Sequence, residues 1–114
     1  MIFPESNLKI FVYSQAVDMR KSFTGLYALT KQELKEDPLS GSLFVFCNKS
    51  RTYMKVLYFD RSGFCIWSKR LEQGRFNIDR DGGKQELSWT DLKLVLEGIE
   101  LKKVKKRKRF SLER

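Results

Sequence analysis

The sequence predicts an α+β domain: a central antiparallel β-meander of three to five strands, packed with two α-helices and followed by a basic tail. Three observations carry this. Gly41–Phe76 gathers most of the aromatic residues and both cysteines into three short strand-like runs separated by turn chemistry. Apolar residues recur at helical spacing before and after that stretch. From Lys102 onward the composition shifts to almost unbroken Lys and Arg. Residues 1–101 are assigned to a single domain and 102–114 to the tail, which is expected to be disordered or helical.

Leu8–Gln15 (LKIFVYSQ) is β-branched and aromatic and reads as a strand. Asp18 is placed as a helix N-cap. Met19, Phe23, Leu26, Tyr27, Thr30 and Leu34 then trace one helical face, with Arg20, Thr24, Lys31 and Lys35 on the other. Asp37-Pro38 ends the helix, because a residue before proline avoids α geometry. Gly25 inside it costs about 1 kcal/mol against alanine, and close approach of the helix to the sheet would explain it.

After the turn Pro38–Gly41, Leu43–Cys47, Tyr53–Phe59 and Phe64–Lys69 read as strands. Asn48–Thr52 and Asp60–Gly63 join them, the second with hairpin-turn residues. Setting Phe59 opposite Phe64 and Cys47 opposite Tyr53 makes both sheet faces apolar, so each needs a cover: the first helix on one, the last helix or a second subunit on the other. This register puts Cys47 and Cys65 on opposite faces, where they cannot bond. Arg70–Ile78 leads away from the sheet towards a further short strand. Asp79–Lys84 (DRDGGK) is a turn that allows a hairpin. Ser88 is an N-cap with Asp91 three residues on, and Trp89, Leu92, Val95, Leu96 and Ile99 form the stripe of a second helix that Gly98 ends.

Charge is unevenly placed. Residues 101–114 hold eight Lys/Arg against one acid, a local charge of +7, and the other hundred residues carry 15 against 13. Lys102, Lys103, Lys105, Lys106, Arg107, Lys108 and Arg109 suit phosphate contact through counterion release; a solubilising end is the plain alternative. Arg20 and Lys21 sit where a helix dipole disfavours cations, so a bound anion would relieve them, unless they face water or pair with Asp18. Lys49, Arg51, Arg61, Lys69, Arg70 and Arg75 make a candidate basic rim, with an Arg70–Glu72 ion pair as the structural alternative. Lys55, inside an apolar strand, is read as an edge charge that blocks aggregation, with reach to a ligand or partner as the alternative. The aromatics Phe44, Phe46, Tyr58, Phe59, Phe64 and Trp67 suggest a base-stacking platform, but helices on both faces would bury them as core.

The chain has no histidine and two cysteines, too few for a Cys/His zinc site or a disulfide scaffold. Asp18, Asp60, Glu72 and Asp91 show no metal-ligand or acid-pair spacing, and neither a P-loop nor a GxSxG elbow is present. No catalytic residue, metal or cofactor is expected. With neither a leader-like start nor a run of about 20 apolar residues, a cytoplasmic protein is the default.

DMRKSFTGL (Asp18–Leu26), the stretch Asp37–Phe76 and LSWTDLKLVLEGIEL (Leu87–Leu101) occur in order and resemble the TnpB accessory proteins of the sixty-six family of bacterial insertion sequences. These are second-open-reading-frame proteins, unrelated to the RNA-guided nuclease of the same name. Ser22 stands where that pattern has glycine and Phe59 where it has tryptophan. The resemblance implies a non-catalytic helper in DNA transposition, working beside a DDE-type transposase and a second small accessory protein. DNA is the expected partner through the basic rim and tail, with a homo-oligomer as a further possibility. A protein-interaction module without nucleic-acid contact is the rival reading, and a metal-dependent nuclease a third.

Overall fold

The computed structural model describes residues 8–98. It runs β1 (Ile10–Ala16), α1 (Phe23–Gln32), β2 (Leu43–Cys47), β3 (Tyr53–Asp60), β4 (Gly63–Arg70), β5 (Lys84–Leu87) and α2 (Trp89–Leu96). The five strands form one sheet in the order β4-β3-β2-β1-β5. The α+β class holds, but the sheet is mixed, not an antiparallel meander: β1 runs parallel to β2 and antiparallel to β5. Parallel neighbours cannot be joined by a tight turn. Here α1 carries the chain back to the end at which β1 began.

β2 is the middle strand, and all five of its residues are buried. Leu43, Val45 and Cys47 enter one core with Ile10, Val12, Met54, Val56 and Tyr58; Phe76, Ile78, Leu92 and Val95 close it. Phe44 and Phe46 enter the other with Phe11, Val17 and Leu57, under Leu26 and Leu34. The cover therefore comes from α1 on one face and from α2 with the segment before β5 on the other.

The β3–β4 register matches expectation: Phe59 faces Phe64 and Leu57 faces Ile66. The β2–β3 register is one residue off, with Cys47 opposite Met54 and Val45 opposite Val56. Both cysteines then belong to the same layer and both are free. They still cannot bond. Cys65 faces Tyr58, four residues along β3 from Met54, about 13 Å at strand rise.

The first helix starts later than its apolar spacing suggests. Asp18 Oδ1 accepts from Arg20 N at 2.9 Å and Asp18 O accepts from Lys21 N at 3.1 Å. Asp18 thus closes a local turn, the competing use of an Asp side chain. Ser22 takes the N-cap position without a side-chain bond. Gly25 is explained by Lys21, not by the sheet: a Cβ there would lie 3.1 Å from Lys21 Cβ and Cγ. At the other terminus, Leu34 N and Glu36 N donate to the carbonyls of Leu29 and Thr30, and Lys35 takes φ 58.

The fifth strand begins on the last residue of DRDGGK, Lys84, and not before that turn. Leu71–Gly83 crosses the first core, burying Phe76 and Ile78, and delivers β5 to the far edge beside β1. Gly82 and Gly83 turn it with φ of 92 and 70, a region open to glycine at no steric cost. α2 behaves as read: Ser88 Oγ accepts from Asp91 N at 3.0 Å, and Gly98 follows the helix at φ 77. Ile99 and the tail lie outside the described residues.

Candidate nucleic-acid interface

The end of β1, the β2–β3 loop and the end of β4 meet at one end of the sheet. Asn48 organises the loop. Its Oδ1 accepts from Thr52 N (2.9 Å) and Tyr53 N (3.1 Å), and its Nδ2 donates to Thr52 Oγ1 (3.2 Å). Arg51 N returns to Asn48 O at 3.1 Å, with Arg51 at φ 60. This local pairing of an Asn side chain with nearby backbone turns Lys49 and Ser50 into solvent.

Two backbone bonds bring in the later chain. Leu71 N donates to Thr52 O at 2.8 Å and Phe76 N to Arg51 O at 2.6 Å, which sets Arg75 beside the loop. Arg70 lies over the Tyr53 ring at 4.6 Å and so has an aromatic partner in place of Glu72. On the other side, Val17 N donates to Cys47 O at 2.9 Å. That bond holds the Asp18–Lys21 turn next to the loop, across an open groove of about 720 Å³ lined by Ala16–Met19 and Asn48–Ser50.

Arg20, Lys21, Lys49, Arg51, Arg70 and Arg75 therefore share one end of the sheet. Arg20 forks onto Asp18, with Nη2 to Oδ2 at 2.6 Å and its side chain 91% exposed. The guanidinium holds the Asp18 carboxyl down at about 2 through its hydrogen bonds. Because Arg20 and Lys21 precede α1, neither stands in its first turn, and the dipole argument for an anion there lapses.

Two of the predicted rim residues stand elsewhere. Arg61 is in the β3–β4 hairpin at φ 50, on the far side of an eight-residue strand, roughly 23 Å away at strand rise. Lys69 turns onto the α2 face, where Nζ donates to Leu96 O at 2.7 Å, a cation at a helix C-terminus. Lys102, Lys103, Lys105, Lys106, Arg107, Lys108 and Arg109 lie outside the described residues.

Lys55 is not an edge charge, since β3 is an interior strand. Its Nζ donates to Lys21 O at 2.8 Å, tying the sheet to the turn before α1. Of the suspected stacking aromatics, Phe44, Phe46 and Tyr58 are core. Phe59, Phe64 and Trp67 are half-buried, and Phe64 makes edge contacts with Phe59 and Tyr27 at 5.2 and 5.6 Å.

Arg80 is the residue the sequence did not single out. Its Nη1 donates to Ser14 O at 2.9 Å, and its Nη2 donates to Asn48 O and, at 3.3 Å, to Lys49 O. One guanidinium thus fastens the end of β1 to the loop that carries Lys49. In sequence it is an arginine between two aspartates in a turn, and backbone carbonyl partners leave no pattern to read.

Among the described residues no three His, Cys, Asp or Glu side chains converge to hold a metal ion, and no helix is long and apolar enough to cross a membrane.

The family model described as IS66 Orf2 like protein matches residues 8–106. An uncharacterised protein of Sinorhizobium fredii, y4hO, is 36% identical over 95 residues, covering 82% of this chain and 83% of its own. A second from the same organism, y4jC, is 35% identical over 109 residues, covering 94% and 92%. No solved structure matches.

Proposed function

The chain belongs to the IS66 Orf2-like family and is an insertion-sequence-associated protein, and from that premise we propose that it assists DNA transposition without performing chemistry itself, by holding DNA phosphates at the basic end of its sheet. The observation that carries this reading is the gathering of Arg20, Lys21, Lys49, Arg51, Arg70 and Arg75 on three separate segments at one end. Cations spread over 56 residues of chain, from Arg20 to Arg75, and brought to one surface raise the local potential for a polyanion. Lys and Arg on irregular segments can meet phosphates of any sequence. The +7 segment after residue 100 adds to the same field. A DDE-type transposase supplies the strand chemistry in this scheme, with the second small accessory protein beside it.

Salt titration of binding to an end-sequence duplex tests the reading. Each phosphate neutralised contributes a slope of about 0.9 in log K against log salt. Replacing Lys49 and Arg75 by alanine is expected to lower the slope by about 2, and deleting residues 102–114 to lower it further. No binding at low salt, or a slope that ignores both changes, would refute it. Retention of the transposase on the immobilised protein without DNA would support the interaction-module reading instead.

A further inference from the structure

β4 ends the sheet on one side, and among the described residues no strand pairs with its outer edge. The strand is eight residues long, pairs with β3 from Asp60–Gly63 to Tyr53–Arg70 without a bulge, and contains no proline. Sheet edges are normally blunted by short strands, bulges, prolines or charged side chains, and β4 has charge only at its last two residues, Lys69 and Arg70. The opposite edge follows that rule, since β5 has four residues, KQEL.

The hydrogen-bond phase says which groups the edge offers. Leu71 N donates to Thr52 O, so by antiparallel alternation Lys69, Trp67, Cys65 and Gly63 spend their backbone groups on β3. Phe64, Ile66, Ser68 and Arg70 turn theirs outward. Four N–H and four C=O groups thus face away from the sheet, beside half-buried Phe64 and Ile66.

We propose that the β4 edges of two copies of this chain pair antiparallel about a two-fold axis at Trp67, giving a continuous ten-stranded sheet. Charge selects the register. With Phe64 opposite Arg70 and Ile66 opposite Ser68, Glu72 of one copy falls opposite Ser62 of the other, next to its Arg61. A shift of two residues would set Arg70 opposite Ser62 and beside Arg61, like charge against like. The chain's own basic tail is a poor occupant for the same reason, since it would lay a +7 segment against Lys69 and Arg70. The pairing runs antiparallel, so each β3–β4 hairpin lies beside the end of β4 in the other copy. Arg61, remote from the rim of its own chain, is thereby delivered to the rim end of β4 in the second copy, opposite Gln73 and beside Glu72. That last consequence rests on the DNA reading above; the interface does not.

The test uses the full chain. Sedimentation equilibrium is expected to give twice the chain mass of 13.5 kDa. In the variant Lys69→Cys, the new thiol lies opposite native Cys65 of the second copy in a close, non-hydrogen-bonded pair, so mild oxidation should yield a disulfide-linked dimer on a non-reducing gel. Within one chain the two positions are about 13 Å apart along the strand, too far to bond. Ser68→Pro removes an outward N–H and leaves the β3 ladder intact, so a variant with native circular dichroism should sediment as a monomer. A monomeric wild type, a dimer that survives in folded Ser68→Pro, or a dimer lost on deleting residues 102–114 each overturns the proposal. A dimer without the cross-link overturns its register. A dimer that binds no DNA removes the nucleic-acid reading and leaves the interface standing. Ser68→Pro binding DNA with an unchanged salt slope overturns the delivery of Arg61.

Discussion

Replacing Arg80 by methionine keeps the aliphatic stem and removes three hydrogen bonds that join β1 to the β2–β3 loop. A hydrogen bond to a charged group contributes about 1.5–3 kcal/mol net. The bond to Lys49 O is long, and Asn48 O also receives Arg51 N, so those carbonyls lose less than the full amount. The expected loss of stability is about 2–4 kcal/mol, or roughly 10 °C in Tm for a domain of this size. Urea unfolding followed by the fluorescence of Trp67 and Trp89, both packed against the first core, measures it. Arg80→Lys should recover part of the loss, because an ammonium can reach one carbonyl but cannot fork. DNA affinity should fall in Arg80→Met with little change in salt slope, since Arg80 positions Lys49 and donates to carbonyls, not to phosphate. A stability change below about 0.5 kcal/mol, the range of an ordinary surface substitution, would refute the clamp.

Ser88→Ala should cost about 1 kcal/mol by removing the acceptor of Asp91 N, read as a lower urea midpoint. Burial pushes the Cys47 thiol up to about 11 from 9.0. The folded state then holds its proton where the unfolded chain releases it, so this stabilisation is complete below pH 9 and is lost between pH 9 and 11. Burial, with a hydrogen bond to Cys65, likewise raises Tyr58 to about 12 from 10.0, which extends the alkaline loss. Denaturation midpoints should therefore fall above pH 9, with a shallower fall in Cys47→Ala, and an identical pH profile in that variant would contradict the assignment. Asp18 works in the opposite sense. Its folded value of about 2 lies below the usual 3.8, so its contribution is present above pH 3.8 and lost as pH falls towards 2, and Asp18→Asn should flatten that acid limb.

How much of this was legible follows from where each signal lives. The Asp60–Gly63 hairpin is local, and two residues of turn fix the β3–β4 register. Ser88 with Asp91 is local too, and the cap formed as read. The β2–β3 slip has a different origin. A one-residue shift normally moves apolar side chains into water, which is why pattern specifies register. Both faces of this sheet are covered, so hydrophobic pattern alone cannot separate the two registers, and the Asn48 side-chain bonds decide. The N-cap reading of Asp18 failed because the same carboxylate can close a turn or cap a helix, and Arg20 beside it favoured the turn.

The sequence by itself determined most of the elements: four β-rich runs, two amphipathic helices, a sheet needing cover on both faces, a basic tail, and the insertion-sequence family. Each rests on short-range periodicity, turn chemistry or an ordered string of motifs. Only the tertiary structure decided that β1 runs parallel to β2, that β5 closes the far edge, and that Arg61 and Lys69 stand away from the cations grouped with Lys49. It alone revealed Arg80 and Lys55 as ties between distant segments. Those outcomes depend on backbone carbonyls and strand edges meeting across 27 or more residues, and every residue carries the same carbonyl whatever its side chain.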